Sequence, residues 1–305
     1  MRNVKSTEVV IIGGGPAGLT AALYLGRAQI ETLLIDKDMC GGQVISSPLL
    51  ENVPGYYGSG AELAIQMLNE VEKYPSVEIM NFTKVIKVTP ETDGAMCNDI
   101  GWNVELEDGT LIICKYIICA TGSTPIHLQG IEGPNVHYCV TCDGALYKDR
   151  VAAIIGGGNS ALQYALELAN YARKVYVVTN EPELRGEVVM RDKVIYHPNI
   201  EVVYNFTANA FNGAWLESAD GKLIRVDGVF VAVGYRTNTN YLSCDKNNGR
   251  FYTDNFFRIF NGNFYYSNAL AVGDCRFKPH NQVVIAMSEG CQAALEVIDE
   301  LSLEN

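Results

Sequence analysis

Val9-Val10-Ile11-Ile12-Gly13-Gly14-Gly15-Pro16-Ala17-Gly18 decides the fold, because it holds a strand, a turn and a helix start in that order. Four β-branched residues read as a short buried strand, the glycines open a helix running to about Ala28, and Thr32-Leu33-Leu34-Ile35 reads as a second strand. Gly13-x-Gly15-x-x-Gly18 supplies what a dinucleotide requires: a tight turn, close approach of the pyrophosphate to a helix N-terminus, and close helix–strand packing. Asp36 ends the second strand, where a carboxylate can accept ribose hydroxyls. Strand, glycines, helix, strand and acid in sequence make a βαβ nucleotide unit rather than a merely structural glycine turn.

The same unit recurs. Ala152-Ala153-Ile154-Ile155-Gly156-Gly157-Gly158-Asn159-Ser160-Ala161 aligns without a gap on the opening stretch, and Val175 to Val178 falls on Thr32 to Ile35. A second repeat follows each copy. Residues 102–122 contain an Asp108-Gly109 turn and end Cys119-Ala120-Thr121-Gly122, while residues 214–234 contain Asp220-Gly221 and end Val231-Ala232-Val233-Gly234. The first copy holds a surplus between its two repeats: Gly41-Gly42-Gln43, Asn52-Val53-Pro54-Gly55 and an amphipathic helix over 61–74, which suits a larger ligand. After Gly234 comes an aromatic-rich stretch, a strand at 269–272, Gly273-Asp274, and a helix from about 282 to 301 expected to pack back on the first domain.

The expected fold class is therefore α/β, with two Rossmann-like nucleotide-binding domains, the second inserted in the first. The first is discontinuous, residues 1–121 with 245–305, and the second is 122–244. The crossings near Gly122 and Cys244 can act as hinges.

Cys139-Val140-Thr141-Cys142-Asp143-Gly144 lies just before the second domain's first strand. Two thiols three positions apart can close a disulfide across one turn at a helix start, where backbone N–H groups favour the thiolate. Zinc needs four ligands, and there is neither a second CxxC nor a paired His motif, so the pair reads as a redox switch. His127, His137, His197 and His280 lack metal spacing, and no metal is expected.

Composition sets outer limits. With 48% hydrophobic and 19% charged residues the chain reads as a globular enzyme, and its net charge of −12 argues against nucleic-acid or anionic-membrane partners. The nine cysteines are odd in number and lie in apolar runs, which predicts reduced, buried thiols and a cytoplasmic setting. No secretory pattern or membrane-length apolar run occurs.

In their order, Gly13-x-Gly15-x-x-Gly18, Gly41-Gly42-Gln43, Asn52-x-Pro54-Gly55, Ala120-Thr121-Gly122, Cys139-x-x-Cys142-Asp143-Gly144, Gly156-Gly157-Gly158-Asn159-Ser160-Ala161 and Gly273-Asp274 form an extended set. With that set the chain resembles the bacterial-type low-molecular-weight FAD-containing thioredoxin reductases over nearly its whole length. The resemblance implies FAD held by Gly13, Gly15, Pro16, Ala17 and Gly18 at the pyrophosphate and Asp36 at the adenosine ribose. It puts Gln43 and Asn52 near the flavin, Asp274 at the ribityl chain and Gln282-Val283 along the isoalloxazine, with Gly42, Thr121, Gly122 and Gly273 in the same site. Cys142 would face the flavin, Cys139 would attack the substrate disulfide, and Asp143 would supply a proton; the other reading of Asp143 is a helix-start cap. A homodimer and thioredoxin as partner are implied too. Because the thiols belong to the second domain and the flavin to the first, rotation about the crossings would alternate the dithiol between flavin and substrate.

One segment departs from the family pattern. Gly156, Gly158, Asn159, Ser160 and Ala161 are retained, but where members carry His-Arg-Arg-x-x-x-Arg this chain has Thr179-Asn180-Glu181-Pro182-Glu183-Leu184-Arg185. Only Arg185 remains to meet a 2′-phosphate, and two carboxylates oppose it. Three electron sources stay open: NADH with Glu181 or Thr179 at the ribose, reduced ferredoxin, and NADPH. A ferredoxin would need a basic patch, for which Arg185, Arg191, Lys193 and Arg173-Lys174 are candidates. The expected function is thioredoxin reduction through FAD and the Cys139/Cys142 dithiol. The alternatives are a flavin dithiol oxidase acting on a small molecule and a flavin-binding redox regulator. Cys275 reads as a packed cysteine, and the aromatics from Phe251 to Tyr266 as core, interface or flavin cover.

Overall fold

The first strand runs Val4–Ile12, beginning earlier than its apolar run, because its ladder to Leu111–Cys119 continues through Lys5, Ser6 and Thr7. The computed structural model describes residues 3–47, 50–91 and 101–303. Its α-helices are α1 (Pro16–Arg27), α2 (Gly60–Val71), α3 (Val140–Asp143), α4 (Asn159–Leu168), α5 (Val188–Ile195) and α6 (Val283–Leu303). α2 starts on a capping box between Ser59 and Glu62 and stops short of the predicted end at 74. Pro75 disfavours helical backbone at the residue before it, Tyr74.

The chain divides into two compact units, one made of Met1–Thr124 with Thr237–Asn305, the other Pro125–Arg236. In the first, a parallel sheet runs in the order Val77–Met80, Thr32–Ile35, Val4–Ile12, Leu111–Cys119, Phe264–Ala271, with Arg258–Asn261 antiparallel at its edge. Val9 and Ile11 point to one face, packed with Leu19, Leu25 and Val297 of α1 and α6; Val10 and Ile12 point to the other, against Trp102, Val104 and Phe251. Each such side chain buried in full contributes about 1.5–3 kcal/mol. α6 lies so close to α1 that a Cβ at Gly290 would come within 2.1 Å of Ala17 O. The tail thus belongs to the first unit.

In the second unit the parallel order is Ile200–Val203, Lys174–Val178, Val151–Ile155, Gly228–Val231, Val136–His137. The repeat holds at the level of register: Val9 pairs with Thr32 as Ala152 pairs with Val175, and Ile12 with Ile35 as Ile155 with Val178. α4 covers one face through Ala161, Leu162, Ala165 and Leu168.

The crossings fall at Thr124–Pro125 and Arg236–Thr237 rather than at Gly122 and Cys244. The second comes early because Tyr241 O accepts the Val88 N–H at 2.7 Å and Leu242, 1% exposed, joins the core of the first unit. No helix among the described residues is long and apolar enough to cross a membrane.

Candidate active site

The glycine loop ahead of α1 is fixed by close backbone contacts. Gly13 has φ +107° and passes so near the next strand that a Cβ would lie 2.5 Å from Ala120 O; a Cβ at Gly18 would lie 1.8 Å from Gly13 O. Gly15 is the N-cap and no side chain caps α1, so its first-turn N–H groups, beyond the one Pro16 lacks, are left for a ligand. Gly42 approaches Gly15, since a Cβ on it would lie 2.9 Å from Gly15 Cα. Asp36 accepts the Gly14 N–H at 2.6 Å and the Asp38 N–H at 2.8 Å, which fixes the carboxylate at the strand end. Burial pushes its carboxyl above the ordinary range, and those two hydrogen bonds oppose the shift. An uncapped helix N-terminus, a glycine turn without room for side chains and an oriented carboxylate fit the diphosphate and ribose of FAD.

The surplus segment and the tail lie in the same unit as this loop. Gln43 Nε2 donates to Ser123 O. Asn52 Nδ2 donates to Gln282 Oε1 at 3.3 Å, and Val283, the first residue of α6, packs beside Val44, Leu50 and Val53. Thr121 Oγ1 donates to Asn238 O at 2.5 Å and Asn238 Nδ2 returns a bond to Thr121 O at 3.0 Å, fixing the turn before Gly122. Gly273 N–H donates to Glu289 Oε2 at 2.7 Å, and the same oxygen takes Lys278 Nζ at 2.9 Å. Burial pushes Asp274 upward, and Lys278, 3.8 Å away, opposes that shift. Glu289 and Lys278 were not singled out by sequence reasoning, and among the other charged residues of the tail, such as Asp274, Arg276 and Glu296, nothing in the sequence marks them. Cys275 is packed, its thiol donating to Cys119 O and Val272 O, both at 3.1 Å.

The thiols lie in the second unit. Cys139 and Cys142 form a disulfide with Cα atoms 5.3 Å apart. Cys139 is the N-cap of α3, and its sulfur accepts the Cys142 N–H at 3.2 Å. Asp143 ends α3 and is the N-cap of the 3-10 turn Gly144–Tyr147, but its side chain makes no capping hydrogen bond there. Its carboxylate is instead buried, with Oδ2 3.0 Å from His137 Nδ1 and Oδ1 without a partner among the described residues. His137, whose sequence neighbours show no metal spacing, also has Nε2 2.8 Å from the Tyr147 hydroxyl. Its place two residues before Cys139 was the available signal.

The second glycine loop repeats the first, with Gly156 at φ +141° and Gly158 as the uncapped N-cap of α4. Asn159 Oδ1 accepts the Glu187 N–H at 2.7 Å, and Arg185 N–H donates to Gly157 O at 2.8 Å, so residues 185–187 fold back on the loop. Ser160 is exposed beside them, while Ala161 is buried where the first loop has Gly18. Thr179, Glu181 and Arg185 are paired with one another. Thr179 is 3% exposed and its hydroxyl accepts the Glu181 N–H at 3.3 Å, and the Arg185 guanidinium is bound to the Glu181 carboxylate. Of the candidate basic patch, Arg191 donates to Leu184 O at 3.2 Å and Lys174 pairs with Glu201 at 2.9 Å.

Residues 7–290 match the model of the pyridine nucleotide-disulphide oxidoreductases. A "34.2 kDa protein in rubredoxin operon" of Clostridium pasteurianum is 32% identical, across 97% of this chain and 97% of that protein. A thioredoxin reductase of Mycoplasma pneumoniae is 30% identical across 96% of this chain and 95% of its own length. The crystal structure of thioredoxin reductase from Streptococcus pyogenes superposes with a TM-score of 0.87 at 29% identity, covering 98% of this chain and 99% of that one. Motifs in order, repeated nucleotide units and a CxxC disulfide agree with these likenesses: the chain belongs to the pyridine nucleotide-disulphide oxidoreductases, as a low-molecular-weight, FAD-containing member of the thioredoxin reductase type.

Proposed function

We propose that this flavin-dependent disulfide oxidoreductase reduces the disulfide of thioredoxin with the dithiol of Cys139 and Cys142. The observation that carries the reading is the closed Cys139–Cys142 disulfide, followed at once by the buried carboxylate of Asp143. Bound FAD supplies two-electron transfer to that disulfide. The Gly13–Gly18 loop and the open end of α1 hold its diphosphate, Asp36 orients the ribose, and Gln43, Asn52, Thr121, Gly122, Asp274, Gln282 and Val283 surround the remainder. Once the pair is reduced, the Cys139 thiolate attacks the substrate disulfide to form a mixed disulfide. Cys142 then displaces the reduced product and restores the Cys139–Cys142 bond. Asp143 holds and returns the proton that the Cys142 sulfur gains and loses in this cycle.

NADH or reduced ferredoxin is the electron source rather than NADPH. The buried Thr179 and the self-paired Glu181 and Arg185 leave little to meet a 2′-phosphate dianion, and this supports the choice. The test is anaerobic: oxidised holoenzyme is mixed in turn with NADH, NADPH and reduced ferredoxin while flavin bleaching is followed, and thioredoxin is then added. Reduction of thioredoxin by at least one donor supports the reading. Oxygen consumption with a small dithiol and no reduction of thioredoxin assigns the chain to the dithiol oxidases.

A further inference from the structure

Three polar side chains of the unit Pro125–Arg236 are buried: His137 and Asp143 are each 6% exposed and Tyr147 is 2% exposed. They form one line, with Tyr147 OH 2.8 Å from His137 Nε2 and His137 Nδ1 3.0 Å from Asp143 Oδ2. The imidazole is held in that line by its neighbours. His137 is registered on Phe230 in the parallel ladder, and the two rings stack with centroids 5.0 Å apart.

The two ends of the line differ. At the inner end Asp143 Oδ1 is buried with no partner among the described residues, one position along the chain from Cys142. A buried carboxylate oxygen left unpaired is costly, so its persistence on the residue that follows a redox cysteine calls for a task. At the outer end the Tyr147 hydroxyl lies over Gly228, where a Cβ would come within 2.0 Å of it. Besides Asp143, the charges acting on Tyr147 are the exposed Arg150 and Asp227.

We propose that His137 is the positioning residue of Asp143 and the route by which the proton Asp143 gives to the Cys142 sulfur is replaced. This rests on the reading of Asp143 as the proton donor. Reduction breaks the Cys139–Cys142 S–S bond with two electrons delivered through the flavin, and two sulfurs are left that take up to two protons. One of them comes from Asp143. The carboxylate so formed is refilled at Oδ2 from His137 Nδ1, while Nε2 takes the Tyr147 proton, and Tyr147 regains one from solvent at the Arg150–Asp227 edge. Imidazole suits this because one nitrogen gains a proton as the other releases one. Burial pushes the Tyr147 hydroxyl up to about 12, so it stays protonated and passes a proton only as it receives one. Return of the dithiol to the disulfide runs the same line outward.

Two variants separate relay from support. His137→Phe keeps a ring against Phe230 without nitrogens; His137→Gln keeps an amide that can hold Asp143 Oδ2 but cannot relay. Each holoenzyme is mixed anaerobically with dithionite, flavin absorbance is followed, and the appearance of Cys139 and Cys142 thiols is measured by acid quench and alkylation. Flavin bleaching is expected within about twofold of the native protein, while thiol appearance slows by about tenfold or more in both variants. The slowed rate rises as pH falls, where the native rate is flat. His137→Phe combined with Asp143→Asn is no slower than Asp143→Asn alone. Thiol appearance within about twofold of native in His137→Gln, or losses that multiply in the double variant, overturns the proposal. If His137→Phe loses flavin or its thermal transition, His137→Gln decides. Failure of the native enzyme to reduce thioredoxin would count against the substrate, not against this relay, because dithionite replaces the donor and no substrate is present.

Discussion

The Arg185 guanidinium is bound to the carboxylate of Glu181, four residues before it, at the edge of the second glycine loop. A guanidinium engaged this way must leave its partner before it can meet a phosphate, and the carboxylate repels the same phosphate. Replacing Glu181 with Arg therefore removes a competitor and adds a donor. A charge-assisted hydrogen bond is worth about 1.5–3 kcal/mol, so the affinity ratio of NADPH to NADH, from equilibrium titration of the holoenzyme, is expected to rise by about tenfold or more. A ratio unchanged in Glu181→Arg contradicts this account of the segment.

Gly18 tests the first loop. With Gly13 O only 1.8 Å from a Cβ at this position, Gly18→Val forces helix and strand apart. The expected cost is about 3 kcal/mol, with loss of most bound flavin, read from the ratio of flavin to protein absorbance after purification. Full flavin content in Gly18→Val would show that the loop tolerates a side chain and that α1 is not where the diphosphate sits.

The two cysteines are expected to fail in the same way. Cys139→Ser and Cys142→Ser each remove the disulfide and lower disulfide reduction by roughly 10³-fold or more, while flavin bleaching by dithionite continues. Steady-state turnover beside single-turnover bleaching checks this, and turnover retained in either variant would send the electrons by another route.

Buried thiols set the alkaline limit of stability. Burial pushes the thiols of Cys244 and Cys275 up to about 11 and that of Cys40 up to about 12. In the unfolded chain these thiols ionise at about 8.5. Their folded values are raised, so their contribution is present in full below that pH and is lost as pH climbs toward 11. Each unit of separation is worth about 1.4 kcal/mol, so the fully buried Cys275 alone withdraws about 3 kcal/mol across the window. Urea midpoints measured between pH 8 and about 11 should fall, and less steeply in Cys275→Ala. A flat profile contradicts the burial of these thiols.

The two nucleotide units were legible because their signal is local: β-branched runs, glycines at fixed offsets and a gapless internal repeat whose register the sheets preserve, Val9 with Thr32 and Ala152 with Val175. The second crossing was misplaced because Tyr241 and Leu242 commit to the first core through a bond to Val88, a partner far away in sequence. The same limit hid His137. A lone histidine carries no spacing signal, and only the parallel pairing of Val136–His137 with Gly228–Val231 and the fold of residues 140–147 bring it to Asp143 and Tyr147. Lys278 and Glu289 met for the same reason, through the fold of Gly273–Cys275 onto α6.

Transfer through flavin and dithiol to a protein disulfide is tested most directly by anaerobic reductive titration of the holoenzyme followed by oxidised thioredoxin. The native protein should take up a second pair of electrons beyond the flavin's, yield free Cys139 and Cys142 thiols, and return that pair to thioredoxin with re-formation of the disulfide. Cys142→Ser should take up only the flavin's pair. Native protein that takes up the flavin's pair alone, or leaves thioredoxin oxidised after full reduction, would contradict the account.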